Sequence, residues 1–207
     1  KQLMRLYGDP EERVRAIAEQ RERNQAEATL REAAAAKDAH AARHLFLQAL
    51  RQGAAPAAVV SEIERWVDRL LQQNPDNLSE ALVLTSLAIQ DERMRSLRWS
   101  HRLLTLCHEL KQPWNGTSSD SAVALSSFLV TLTEMEDHLS QPAPAADADA
   151  PLAAFGHDCL RKQRDQRDSL LRRASDETLA QVSALAQAYS ADDRQALNAL
   201  RTHRERA

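Results

Sequence analysis

Glycine and aromatic residues are scarce in this sequence. The 207 residues include four glycines, and Phe, Trp and Tyr together make up 4%. Phosphate-binding loops need clustered glycines, because the backbone N–H groups must reach the anion. Gly8, Gly53, Gly116 and Gly156 are each predicted to stand singly at a turn or helix end, so the sequence excludes these loops. The few aromatic and β-branched residues also disfavour β-strands.

Long apolar runs, a cysteine framework and a strong net charge are missing as well. No apolar run approaches the roughly 18 residues that cross a bilayer, so we expect no membrane insertion. Cys107 and Cys159 are too few for a disulfide framework, and this favours the cell interior, so we predict a cytoplasmic protein. The 27 basic and 30 acidic residues nearly cancel, which excludes a global attraction to nucleic acid.

The residues that dominate the sequence are strong helix formers: Ala, Leu, Arg, Glu and Gln. We therefore predict an all-α protein, a multi-helix bundle or irregular helical stack of about seven to nine helices.

The most regular pattern follows Pro56. Apolar residues recur there every three to four positions, the spacing of one buried helical stripe. They are Val59, Val60, Ile63, Trp66, Val67, Leu70 and Leu71. Residues 74–77 (NPDN) end this helix and cap the next, which spans LSEALVLTSLAIQ and is apolar on nearly every side. We expect this second helix to lie in the middle of the fold.

The same junction carries a family resemblance. Pro75, Asp76, Asn77, Ala81 and Ala88 resemble the junction and small-residue positions of a tetratricopeptide helical hairpin. The resemblance covers one unit, lacks the mid-unit glycine of that family and does not recur at a fixed period. It implies that helices stack on one another.

Composition changes along the chain predict four parts. Residues 1–37 form an N-terminal helical arm, 38–140 a central helical core, 141–151 an Ala/Pro linker and 152–207 a C-terminal helical segment. In the arm, the Val14, Ile17 and Ala18 stripe fades after Arg21, which indicates a projecting or lightly packed helix. Asp38 caps a fresh helix that Gly53 ends.

Ser175 and Ser190 are each followed by acidic residues, a pattern typical of helix N-caps. The helix after Ser175 is predicted to carry Leu179, Val182, Leu185 and Tyr189.

Histidine pairs are the candidate metal ligands. His40 and His44 are spaced i,i+4, which places two imidazoles on one helical face. His101, Cys107 and His108 lie on a second predicted helix, where the two histidines are seven apart and share a face, and His157 and Cys159 follow after the linker. A metal-responsive sensor or a metal-dependent enzyme is therefore one alternative function. Packed or exposed histidines are favoured over ligands, so we predict no metal, no cofactor and no catalytic residue, and a protein that is not an enzyme.

A basic stretch supports a second alternative, a DNA-associated regulator. It contains Arg161, Lys162, Arg164, Arg167, Arg172 and Arg173. Asp158, Asp165 and Asp168 are interleaved with these residues, which favours a solvated helix face with salt bridges over a phosphate-binding track.

Large apolar residues without an obvious local partner are the candidate binding residues. Near the N-terminus they are Leu3, Leu6 and Tyr7, and near a predicted loop they are Trp99 and Trp114. Such side chains often anchor interfaces. We therefore predict a non-catalytic helical protein–protein interaction module, such as an adaptor, assembly factor or secretion-type accessory protein. Its partner would be another protein, or a second copy of the chain in a homo-oligomer.

Overall fold

Helices account for most of the structure. The computed structural model describes residues 10–111, 122–141 and 150–206, and this part of the chain contains no strand. In order, the α-helices are α1 (Pro10–Ala34), α2 (Ala39–Arg51), α3 (Pro56–Gln73), α4 (Leu78–Thr85), α5 (Leu87–Gln90), α6 (Leu97–Lys111), α7 (Ala122–Ser140), α8 (Ala150–Arg173), α9 (Asp176–Ala184) and α10 (Ala191–Glu205). Two short 3₁₀ segments are Glu92–Met94 and Ala186–Ala188. The all-α prediction is confirmed.

The chain divides into two compact units. The first unit is Lys1–Arg98 and the second is Trp99–Ala207. The predicted boundaries at residues 37/38, 140/141 and 151/152 stay predictions. Most of the predicted Ala/Pro linker, residues 142–149, lies outside the described residues.

The core of the first unit contains both small and large side chains. α1 packs most extensively on α2, and Ala33 and Ala42 are fully buried. α3 packs on α4 with the predicted stripe buried, so that prediction is confirmed. Asp38 accepts a hydrogen bond from the Ala41 N–H at 2.8 Å and caps α2 as predicted.

Gly53 ends α2 through its backbone conformation. Its φ of +92° lies in the left-handed region, where a residue with a Cβ is strained. The Gly53 N–H donates to the Leu50 carbonyl, and the Ala54 N–H donates to the Ala49 carbonyl at 2.9 Å. These two bonds form a Schellman motif, which satisfies the last carbonyls of the helix.

The predicted helix over residues 78–90 is interrupted at Ser86. The Ser86 hydroxyl donates to the Val83 carbonyl at 2.7 Å and accepts from Arg43 Nε at 3.2 Å. A serine that bonds the preceding turn competes with the helical ladder, so α4 and α5 are separate helices. Leu84 and Leu87 are fully buried on either side of the break, as expected for the middle of the unit.

In the second unit, α7 packs on both α8 and α9, and α10 packs on α8. The predicted caps are confirmed, because the Ser175 and Ser190 hydroxyls accept from the Thr178 and Asp193 N–H groups at 3.1 and 3.2 Å. The prediction for the end of this helix is wrong. α9 ends at Ala184, so Leu185, which is 54% exposed, and Tyr189 lie beyond it.

Candidate protein-binding surface

α1 is anchored to the first unit only through its second half. Ala26, Thr29 and Ala33 are buried there. The Thr29 hydroxyl donates to Gln52 Oε1 at 2.7 Å, which ties α1 to the end of α2. At 1.5 Å per residue, the 25 residues of α1 extend over roughly 37 Å, nearly twice the length of the 13-residue α2. The first half of α1 therefore extends beyond the helix that holds it.

All side chains of residues 11–25 are exposed, and we call this part of α1 the exposed segment. Val14 is 68% exposed and Ile17 is 55% exposed. Scattered exposed apolar residues are normal on a surface. These two are one turn apart on one helical face, so they form a short apolar seam.

Charged residues surround this seam in equal numbers. The exposed segment contains four glutamates and four arginines. Arg15 pairs with Glu11 at 3.8 Å and Arg23 pairs with Glu19 at 3.9 Å, with the acid N-terminal in each pair. The orientation favours the helix, and each pair contributes about 0.2–0.5 kcal/mol. The segment is therefore a helix of balanced charge with a narrow apolar seam.

A groove lies at the opposite end of α1. It encloses about 390 Å³ and is lined by Ala34, Ala35, Ala36, Lys37, Trp66, Arg69, Leu70, Gln73, Asn77 and Glu80. Arg69 Nη2 donates to the Ala34 carbonyl at 3.4 Å, so one wall is held by a capped helix end. Trp66 contributes the aromatic surface, and the charged groups carry both signs. The groove therefore offers hydrogen-bonding groups around the indole ring of Trp66.

The predicted partner-binding residues are only partly described. Leu3, Leu6, Tyr7 and Trp114 lie outside the described residues. Trp99 is 8% exposed, and its ring stacks on His138 with centroids 5.0 Å apart. The indole therefore has an intramolecular contact that the sequence did not reveal. A role for these five residues in partner binding stays a prediction.

His138 makes a second contact at the same place. Its Nε2–H donates to the Trp99 carbonyl at 2.9 Å. Burial lowers the pKa of the His138 imidazole, the hydrogen bond to Trp99 opposes this shift, and the positive charge of Arg102 adds to it. The pKa falls overall, which favours the neutral form of the imidazole. The pair acts as a packed junction between α6 and α7.

The histidines proposed as metal ligands belong to different helices. His40 and His44 are both exposed on α2, whereas His101 and His108 are half-buried on α6. Burial lowers the pKa of His101. Among the described residues, no three His, Cys, Asp or Glu side chains come together as a ligand group. The metal alternative therefore gains no geometric support and stays a hypothesis.

Ion pairs occupy much of the basic stretch on α8. Arg161 and Lys162 both pair with Asp158, and Arg164 pairs with Glu136 at 2.6 Å. These pairs reduce the positive charge that a nucleic-acid phosphate would meet, which disfavours the DNA alternative.

Arg167 departs from the predicted solvated face, since its side chain is 8% exposed. Its Nη1 donates to Asp192 at 2.7 Å and to Asp193 at 2.6 Å. Burial opposes the charged form of Arg167, but the hydrogen bonds to Asp192, Asp193 and Asp168 raise its pKa above the ordinary value. The prediction of a solvated face is therefore wrong at this residue.

Sequence reasoning missed two features of the first unit. It recognised Val14 and Ile17 as a fading stripe but did not identify them as an exposed seam. It also assigned Trp66 to the core, although Trp66 lines the groove as well. The high density of charged residues around Val14 was a sequence signal that could have identified the exposed seam. No sequence signal marks the second, because the groove walls come from distant parts of the unit.

Comparison with known proteins gives no relative. A scan of protein-family models, a search of curated proteins and a search of solved structures each found no match to this chain. Within the described residues, no helix combines the length and apolarity that crossing a membrane requires.

Proposed function

We propose that this chain is a non-catalytic helical module that binds another protein through the exposed segment of α1. The observation that carries the proposal is the apolar seam of Val14 and Ile17 on a helix half whose side chains are all exposed. A helix with such a seam has little stability in water by itself, since most helical stability comes from packing of an amphipathic face.

The shape of the seam supports one kind of occupant, a single helix. Val14, Ile17 and Ala18 form a narrow apolar stripe, and Arg21 ends it. Charged residues flank this stripe on both sides. A narrow stripe with charged flanks suits a single partner helix, as in coiled-coil packing. We therefore propose that an amphipathic helix of another protein lies along the exposed segment.

Charge disfavours a parallel pair formed by two copies of α1. A parallel pair of α1 helices would place Arg21 of one copy against Arg21 of the other, and like charges at a seam destabilise. A partner helix that carries an acidic residue facing Arg21 avoids this repulsion. The balanced charge of the segment also disfavours a polyanion as the partner.

Site-specific photo-crosslinking tests this proposal. A photoreactive amino acid replaces Ala18 in the full chain. In the control variant the same amino acid replaces Val123, which is 80% exposed on α7. We expect the probe at Ala18 to crosslink to an amphipathic helix with an acidic seam residue, and the probe at Val123 to give no such product. Identical products from the two positions would contradict the proposal.

Two substitutions test the seam itself. V14E and I17E together place negative charge at the apolar contact, so crosslinking from position 18 should disappear, while V123E should leave it intact. Light scattering after size exclusion then separates the occupants. A stable dimer that dissociates in the V14E/I17E variant would identify the occupant as a second copy and overturn the assignment to another protein.

A further inference from the structure

Helices α6 and α8 approach each other closely at Gly156, which lies within α8 and not at a turn or helix end as predicted. A Cβ at this position would lie 2.9 Å from Leu103 Cδ1 and 3.1 Å from Leu103 Cδ2. Leu103 is fully buried, so the contact lies inside the second unit. The absence of a side chain at Gly156 therefore allows α8 to come near α6.

The two cysteines of the chain lie one turn further along these helices. Cys107 follows Leu103 on α6, and Cys159 follows Gly156 on α8. Both are free thiols, 0% and 3% exposed, and each thiol shifts the pKa of the other, which places the two side chains next to each other. Residues far apart in sequence thus form a buried dithiol pair.

The surroundings of the two thiols favour ionisation of Cys159 over ionisation of Cys107. Lys111 Nζ lies 5.7 Å from the centroid of the Phe155 ring, which brings a positive charge from α6 beside α8. The pKa of Cys159 is lowered, first by the hydrogen bond from Cys107 and then by the positive charges of Lys111 and Lys162. Burial and the negative charge of Asp158 act in the opposite direction. The hydrogen bond to Cys159 and burial raise the pKa of Cys107. Cys159 is therefore the thiol that ionises first.

We propose that Cys107 and Cys159 form a reversible disulfide, a covalent modification site whose oxidant is a low-molecular-weight disulfide. The Cys159 thiolate attacks one sulfur of the oxidant, whose S–S bond breaks and releases one thiolate. Cys107 then gives up its proton and attacks the Cys159 sulfur, and the second thiolate leaves. The two protein thiols lose two electrons and two protons, and the oxidant is reduced to two thiols.

Burial determines how fast this exchange proceeds. The oxidant reaches the pair only when α6 and α8 separate locally, because neither thiol is open to solvent. Oxidation is therefore slow in native protein and accelerates at low urea concentrations. Once formed, the disulfide joins α6 covalently to α8 within the second unit.

Thiol counting by mass spectrometry tests the proposal. The reduced full chain is incubated with glutathione disulfide, alkylated, and analysed intact and after digestion. We expect a mass lower by two hydrogens, no alkylation at either cysteine, a peptide pair linked through Cys107 and Cys159, and reversal by dithiothreitol. Full alkylation of both cysteines, or disulfide-linked dimers, would overturn it.

Two controls make the result decisive. The same incubation in strong urea shows that the oxidant is active, and a disulfide found only there would overturn the proposal for the native chain. With C107S, the reaction should stop at a glutathione adduct on Cys159. With C159S, modification of Cys107 should be slower by about tenfold, because burial still raises the pKa of its thiol. Equal rates for the two variants would overturn the role of Cys159 as the attacking thiol.

Discussion

The two longest described helices, α1 and α8, have similar compositions but different surroundings. They contain 25 and 24 residues, and both are rich in Arg and acidic residues. In α1, the pairs Arg15–Glu11, Arg23–Glu19 and Arg31–Glu27 all join residues of the same helix, with every side chain at least 64% exposed. In α8, Arg167 is buried and bonds to Asp192 and Asp193 of α10. The same residue types thus stabilise one helix locally and join the other to its neighbour.

Exposed ion pairs in α1 and the buried ion pair of Arg167 in α8 affect the free energy of unfolding differently, because water screens only the exposed pairs. Exposed pairs are screened by water and salt, so each contributes little. A buried charge has lost its hydration, so its partner becomes indispensable even where the whole pair adds little net stability. Charge content alone therefore does not tell whether a helix lies in solvent or within the fold.

Removal of Arg167 should have the largest effect. Arg167→Ala removes the cation from the carboxylate of Asp193, which is 2% exposed and keeps a hydrogen bond from the Ser190 hydroxyl. We expect the free energy of unfolding to fall by about 3–5 kcal/mol, the usual loss when one member of a buried ion pair is removed. Urea denaturation followed by circular dichroism measures it. Arg15→Ala is the matched control in α1, and equal losses in the two variants would contradict the comparison.

Packing against α8 gives the next largest effect. Gly156→Leu adds a side chain whose Cβ alone would already lie within 3.1 Å of Leu103 and Leu139. We expect a loss of about 1–3 kcal/mol from overpacking. Ala18→Leu in the exposed segment of α1 should change stability by no more than about 0.5 kcal/mol. Thermal unfolding measures the stability of both variants. An unchanged stability of Gly156→Leu would show that α6 and α8 can move apart to admit the side chain.

Acid should weaken the α8 network. The hydrogen bond from Arg167 lowers the pKa of Asp192 below its ordinary value of 3.8, although burial opposes this shift. A carboxylate with a lowered folded pKa contributes stability that is present above the unfolded pKa and is lost as the pH falls through the folded pKa. We therefore expect stability to fall below about pH 4, with a smaller fall in Asp192→Asn.

Urea titrations at several pH values below neutrality measure this dependence. Glu19→Gln in α1 is the control, since the Arg23–Glu19 pair is exposed and 3.9 Å long. An acid response that is the same in Asp192→Asn and in the unsubstituted chain would contradict the assignment to the α8 network.

The smallest effect is expected in the exposed segment itself. Arg15→Ala removes one i,i+4 pair and should lower stability by about 0.2–0.5 kcal/mol at low ionic strength. High salt should abolish the difference, because the pair lies in solvent. Denaturation at two salt concentrations measures both values. A larger, salt-independent loss would indicate that Arg15 packs against another part of the protein.

Local features were predicted well because their causes are local. Asp38, Ser175 and Ser190 cap helices through bonds to backbone groups three residues away, and Gly53 ends α2 because the turn needs a positive φ. The break at Ser86 was missed. Its hydroxyl bonds to Arg43, a residue that sequence distance does not connect to it.

The candidate sites show the same limit. The pattern around Val14 and Ile17 revealed a helix poorly supplied for burial, but the exposure of those side chains follows from how far α2 extends along α1. Trp99 looked unpartnered because His138 lies on another helix. The cysteines looked unrelated because only the packing of α6 on α8 brings them together.

The sequence by itself determined the helical class, most helix ends and the charge balance of the exposed segment, since propensity, capping and i,i+4 pairing act within a few residues. Tertiary structure alone decided that Arg167 is buried, that Trp66 lines a groove and that Cys107 meets Cys159. The physical reason is that burial and contact depend on which distant surfaces pack together, and the pattern along a single helix carries little of that information.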